Sequence, residues 1–268
     1  MISIIIPVLN EAEMIGDLLR HLAKSSTKEH ISDIIVVDGG STDGTQSIVS
    51  EFINPSPLEP NEKLIFDNSN LKSDNTATFV LESKAIVKQS SQKNVKLITS
   101  EKGRAKQMNL GAKHAKGSIF YFLHADAFPP QNFDQYIIDE IKKGNNAGCF
   151  RMQFNSSHWW LRLASWLTQF SWRACRGGDQ SQFITKALFD TIGGFDETYT
   201  IYEDNILINE LYKRKDFVVI NKKIRTSARL YKKVGIWKLQ YHFWAIYVKR
   251  WLGATADELL AYYKRHIK

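Results

Sequence analysis

Apolar residues in this chain fall into short β-rich runs separated by segments that carry a helical stripe. Ile2 to Ile6 reads as a buried strand, and after Pro7 the pair Asn10 and Glu13 marks an N-cap with an acid three positions on. The helix that follows repeats its apolar residues Ile15, Leu18, Leu19 and Leu22 at i, i+3, i+4 and i+7. The same unit recurs: strand Ile34 to Val37, turn Asp38 to Gly44, then a helix with Ile48, Val49 and Phe52. A third copy has strand Val95 to Thr99 and a helix opened by Gly103 with Met108, Leu110 and Ala112. It leads into the apolar run Ser118 to Leu123, a strand expected to end at Asp126. Strands alternating with helices predict an α/β fold with a mainly parallel sheet flanked by helices.

The second half is less regular. A helix is expected after Pro129-Pro130, a strand near Cys149 to Phe154, and a helix opening at Glu203-Asp204 with Ile206, Leu207 and Leu211 facing inward. Two stretches are unusually aromatic: Trp159 to Trp172, and Trp237, Tyr241, Phe243, Trp244, Tyr247 and Trp251 among Lys249 and Arg250. Such helices more often cover a core or an acceptor pocket than touch lipid, so packing is the expectation, with peripheral membrane contact left open. Residues 54–93 are rich in Asn, Ser, Lys and Pro and read as a mobile surface insertion that has room for a short hairpin or helix around Thr78 to Val87.

Composition narrows the class. The 268 residues are 43% hydrophobic, enough for a sizeable core, which excludes disorder of the whole chain. The amino terminus lacks a signal-peptide pattern and no stretch has the length of a membrane span, so a cytoplasmic location is expected. Cys149 and Cys175 have no metal-site spacing and read as reduced thiols. The net charge of +8 is C-terminal: from Asn205 onward there are 15 Lys/Arg against 4 Asp/Glu, leaving 21 against 24 before it. That balance keeps a binding module for nucleic acid or anionic membrane as an alternative class.

The candidate chemistry is acidic. Asp126 at a strand end suits Mg2+ or Mn2+, which take carboxylate and phosphate oxygens. His124, two positions earlier, shares its side of an extended chain. Asp126 also fits a turn acid, and Glu203-Asp204 at a helix start could simply favour the dipole. Asp38 before two glycines could meet a base or ribose. No P-loop or dinucleotide fingerprint is present, which removes the best signs of ATP hydrolysis and hydride transfer. A nucleotidyltransferase would favour a Gly-rich, Lys-containing loop, and Pro7 to Asn10 supplies neither.

In combination and order, SIIIPVLNEAEMIGDLL, DIIVVDGGSTDGT, GRAKQMNLGAKHAKGSIFYFLHADAFPP and GGDQSQFITKALFDTIGGFDETYTIYEDNILINEL resemble family 2 glycosyltransferases of the GT-A (Rossmann-like) fold. The HAD, GGDQ and SAR segments (the last at Ser227 to Arg229) are similar to a soluble bacterial subgroup found near radical-SAM genes. The resemblance implies inverting, metal-assisted transfer of one sugar from a nucleoside-diphosphate sugar to a hydroxyl acceptor, free or lipid-linked, with no nucleic-acid partner. It implies a donor pocket of Pro7, Asn10, Glu11, Asp38, Arg104 and Asn109, with Asp179, Gln180 and Arg229 as further substrate contacts. It also implies Mn2+ or Mg2+ at Asp126 with His124, and the catalytic pair Glu203 and Asp204, of which Asp204 is the base. The chain departs from the family at His124, where Asp is usual, and in the insertion, and it lacks the QxxRW motif of processive synthases. The expected division is a transferase domain over 1–230 and a helical extension over 231–268.

Overall fold

The computed structural model describes residues 1–54 and 94–267. The insertion reading, including the hairpin or helix around 78–87, therefore lies outside the described residues. Eight strands form one sheet in the order β3-β2-β1-β4-β7-β6-β8-β5. They are β1 (Ile2–Val8), β2 (Ile31–Asp38), β3 (Val95–Thr99), β4 (Ile119–Phe122), β5 (Ala127–Phe128), β6 (Ala147–Phe154), β7 (Gln182–Thr185) and β8 (Val218–Thr226). Strands β3, β2, β1 and β4 are parallel, β7 runs antiparallel to β4 and β6, and β8 is parallel to β6. The expected mainly parallel sheet is present, with β7 and β5 as its antiparallel members.

Strand β1 is an apolar run because both of its faces are covered. Ile2, Ile4, Ile6 and Val8 pack under α1 (Ala12–Ser25), α2 (Thr45–Ile53) and α4 (Phe133–Lys142). Ile5 faces the other layer, built by α3 (Arg104–His114), α6 (Lys186–Ile192) and α7 (Glu203–Lys213). In that second layer α3 lies so close to β1 that a Cβ on Gly111 would sit 2.5 Å from Ile5 Cγ2. Pro7 is tolerated in this central strand because pairing with β4 ends at Ile5–Phe122. Ile5 turns its carbonyl to Leu123 on that side, and Pro7 shares its parity, so the missing N–H falls beyond the ladder.

The connections hold the surprises. Helix α1 is N-capped by Glu11, not Asn10, and Asn10 adopts a left-handed φ of 57°. The loop after β2 satisfies the first donors of α1: Glu11 N–H donates to Thr45 Oγ1 at 2.9 Å and Ala12 N–H to Asp43 Oδ2 at 3.0 Å. Asn10 Oδ1 in turn accepts from Thr42 N–H at 2.9 Å. Strand β4 stops at Phe122, so Asp126 is not a strand-end residue but sits in the turn between β4 and the two-residue β5. Helix α7 opens at Glu203 as expected, but Ile206 is only half-buried, while Leu207 and Leu211 face the core.

The aromatic stretches depart furthest from expectation. Of α5 (Trp159–Leu167) only Leu161 is buried, and Trp159, Trp166 and Trp172 are each more than half exposed. Arg229, expected as a substrate contact, opens helix α8 (Arg229–Val234). It leads into α9 (Ile236–Trp251) and α10 (Ala256–His266), the last with a complete Thr255/Glu258 capping box. Leu239, Ile246 and Leu259 of these helices share a cluster with Ile201, just before Glu203.

Candidate active site

Strand order changes direction between β1 and β4, because β2 and β3 lie on one side of β1 while β4 lies on the other. The crevice beyond the carboxyl ends of such strands is where ligands of open α/β sheets bind. Three loops leave those ends: 9–11 after β1, 39–44 after β2, and 123–126 after β4. Helix α7 brings Glu203 and Asp204 to the same crevice.

Asp204 reaches it. Its Oδ2 stands 3.8 Å from His124 Nε2, and its side chain keeps 12% exposure. Glu203 has none. It turns instead to Arg104 at the start of α3, with Nε 2.7 Å from Oε1, and neither of its oxygens gains an aligned hydrogen bond. The neighbouring loop leaves room for Asp204 only because residue 178 is glycine: a Cβ there would collide with the Asp204 carboxylate and approach His124 Nε2 to 2.9 Å. Tyr202, which precedes the pair, is held at a left-handed φ of 71° with its ring 5.2 Å from that of Tyr247. For a bulky residue that conformation persists only where its surroundings fix it, and it sets the direction in which the two acids leave the backbone. Arg173 fixes the next residue, donating to Asn205 O at 3.1 Å and Asn205 Oδ1 at 3.0 Å.

On the opposite wall Arg229 Nη2 reaches both oxygens of Glu11, at 3.0 and 2.8 Å, and lies 3.9 Å from Asp126 Oδ2. The carboxylate of Asp126 accepts no hydrogen bond among the described residues. This is a hard, half-exposed oxygen donor beside an imidazole, which fits Mg2+ or Mn2+. No group of three or more His, Cys, Asp or Glu able to hold a metal occurs among the described residues. Oxygens from a bound diphosphate would have to complete the shell around Asp126 and His124, as Mg2+ usually requires.

The charges are crowded. Burial first, then the neighbouring Asp204, pushes Glu203 up to about 7, although Arg104 pulls the other way; Arg104 itself is held more firmly protonated by Glu203. Asp179 also titrates above the usual carboxylate range. Although its side chain is solvent-exposed, desolvation in the crowded cleft is the largest cause, Asp126 and Asp204 add to it, and His124 and Arg104 oppose it. Glu11 is raised by burial against the pull of Arg229. A carboxyl whose folded pKa lies above its unfolded value contributes stability that is complete below the unfolded pKa and is lost as pH rises through the folded one. Stability should therefore fall between pH 4.5 and about 7 through Glu203. Glu203→Gln should flatten that slope in urea-midpoint measurements without abolishing it, since Asp179 and Glu11 act in the same direction. An unchanged slope would remove Glu203 as its source.

Several residues expected to touch substrate are engaged elsewhere. Asp38 is buried at the end of β2 and accepts from Gly40 N–H, Ser41 N–H, Ser41 Oγ and Gln46 Nε2. Burial works against its charge, but these donors outweigh it and hold the carboxyl below its ordinary range. Asn109 clamps the turn before α7, donating to Phe195 O at 2.9 Å and Glu197 Oε1 at 2.8 Å and accepting from Phe195 N–H at 2.9 Å. Gln180 is buried, accepting from Arg176 Nη1 at 2.6 Å and donating to Cys175 O at 2.6 Å. Pro7 is buried within β1. The cleft thus gathers Glu11, Arg104, His124, Asp126, Asp179, Asp204 and Arg229, with Glu203 buried behind Arg104, while Asp38, Asn109 and Gln180 brace its loops.

Sequence reasoning missed Gln107 and Arg176. Gln107, buried in α3, donates to Val8 O at 2.8 Å and Val37 O at 2.7 Å, tying the ends of β1 and β2 together. Arg176 is buried and donates to Thr168 O and Phe170 O, both at 2.6 Å. A polar residue inside a helical stripe was the only signal for the first, and nothing local marked the second.

This sheet, with its acidic crevice at the strand ends, is the GT-A fold. It is similar to that of TarS 1–349 from S. aureus in complex with UDP-GlcNAc, with a TM-score of 0.58 at 18% identity over 84% of this chain and 58% of that one. It is also similar to the mannosyltransferase PcManGT from Pyrobaculum calidifontis in complex with GDP-Man and Mn2+, with a TM-score of 0.58 at 16% identity over 100% of this chain and 65% of that one. The chain thus spans less than two thirds of either structure. No curated protein matches it by sequence. The profile of Glycosyl transferase family 2 matches residues 3–77 and 65–215, and the chain belongs to that family.

Proposed function

We propose that the chain transfers a single sugar from a nucleoside-diphosphate sugar to a hydroxyl acceptor with inversion, assisted by Mn2+ or Mg2+. The observation that carries this is the separation of roles in the acid pair: Asp204 faces the crevice beside His124, while Glu203 is buried against Arg104. A base must reach the proton it removes, and only Asp204 does. In this reading the Asp204 carboxylate takes the acceptor hydroxyl proton as the oxygen attacks the anomeric carbon. The bond to the diphosphate breaks on the opposite face. Asp126, with His124 beside it, would hold the cation, which would supply charge neutralisation to the departing diphosphate. Arg229 can exchange part of its contact with Glu11 for a phosphate oxygen, since a guanidinium suits both anions. Glu203 holds Arg104 at the start of α3 as a positioning group.

The direct test is a thermal-shift screen against UDP, GDP, CDP, TDP and ADP sugars, each with and without Mn2+ or Mg2+. One base should give a selective, metal-dependent rise, since ligand a hundredfold above Kd stabilises the folded state by about 2.7 kcal/mol. The absence of any shift would overturn the reading.

A further inference from the structure

Every tryptophan of the chain, seven in all, lies in the two segments 159–172 and 237–251. On α9, Trp237, Tyr241, Trp244, Val248 and Trp251 recur at i, i+4, i+7, i+11 and i+14, one helical face, and each is more than half exposed. The opposite face of α9 carries its buried residues Leu239, His242 and Ile246. Helix α5 repeats the pattern in Trp159, Leu163 and Trp166, all exposed. The two stripes meet: the Trp237 ring lies 5.8 Å from Trp159 and 5.4 Å from Trp160, and Trp160 lies 6.0 Å from Trp244. A continuous apolar face of this kind marks an interaction surface.

We propose that the exposed faces of α5 and α9 form one interfacial docking surface for an anionic lipid bilayer. Charge selects that occupant. Residues 217–256 hold nine Lys/Arg and no Asp/Glu, and residues 141–178 hold six and none. Exposed Arg162 stands between the α5 tryptophans, and exposed Lys238 and Lys249 flank the α9 stripe. Tryptophan rings at headgroup depth with cations reaching lipid phosphates are the composition of an interfacial helix. Single-stranded nucleic acid fits less well. Trp159, Trp160, Trp237 and Trp244 pack against one another instead of standing apart as base-stacking platforms, and Leu163, Val248 and Leu252 give a base nothing to stack on. Helix α9 also ties to the cleft, since Tyr247 donates to Asn205 Oδ1 at 3.2 Å, next to Asp204. Docking stands independently of sugar transfer.

The test is co-sedimentation of the full chain with vesicles of phosphatidylcholine alone and of equal parts phosphatidylglycerol and phosphatidylcholine, with tryptophan emission recorded in parallel. Binding to the anionic vesicles with a blue shift is expected. The triple variant W237S/W244S/W251S should lower the partition coefficient roughly tenfold, because interfacial binding scales with buried apolar area. These side chains are exposed, so its melting temperature and its donor-induced thermal shift should match wild type. No binding to anionic vesicles at low salt overturns the proposal, and a donor shift in the same preparation would leave the transferase reading standing. Two other results also overturn it: oligonucleotide binding that the triple variant abolishes while vesicles remain unbound, or a dimer in light scattering that W244S dissolves while vesicles remain unbound.

Discussion

Asp204→Asn is expected to abolish transfer while leaving the donor bound. The substitution keeps the shape of the side chain next to Gly178, where any added bulk would collide, so the loop has no reason to move. It removes the one carboxylate of the pair with access to the crevice. Loss of a general base of this kind costs about 10²- to 10⁴-fold in rate. Single-turnover release of nucleoside diphosphate in the presence of acceptor would measure it, with donor Kd from calorimetry as the control. Glu203→Gln separates the two acids. That side chain holds Arg104 and does not meet the crevice, so its loss should cost less and should act through geometry at Arg104. If Glu203→Gln were the more damaging of the two and Asp204→Asn nearly silent, the roles assigned here would be reversed.

How much of this could be read from the chain depends on whether the signal is local. Strand β1 was legible because burial on both faces leaves a continuous apolar run, and α1 because a single stripe meets a sheet. As candidates, the acids at 126 and 204 were legible through their motifs. Their partners were not. The contacts of Asn109 lie 86 residues away at Phe195, and Arg229 finds Glu11 across 218 residues, separations that no periodicity encodes. Asp38 shows a different limit: a carboxylate before Gly-Gly-Ser has the residues of a ligand site and those of a self-closed turn at once, and the donors from Ser41 and Gln46 decide between them only in three dimensions. The aromatic helices show a third. On α9 the exposed series 237, 241, 244, 248 and 251 has the same spacing as the buried series 239, 242 and 246, so helical periodicity marks two apolar faces without saying which one the core takes. The core took the face with Leu and Ile, and the tryptophans were left outside.

Asp126→Ala should remove the metal-dependent part of donor affinity and nothing else. With Mn2+ present, donor binding should weaken tenfold or more, about 1.4 kcal/mol. With chelator present, wild type and variant should bind alike. The Asp126 carboxylate accepts no hydrogen bond among the described residues, so its loss leaves no donor orphaned, and Arg229 keeps Glu11 as its closer partner at 2.8 Å. A structural role for Asp126 would give the opposite pattern, a lower melting temperature with equal donor affinity in Mn2+ and in chelator. His124→Ala then separates the two candidate donors. If His124 is a metal ligand, Mn2+-dependent binding falls as it does for Asp126→Ala. If it serves only as the neighbour of Asp204, 3.8 Å away, binding holds and the transfer rate falls alone.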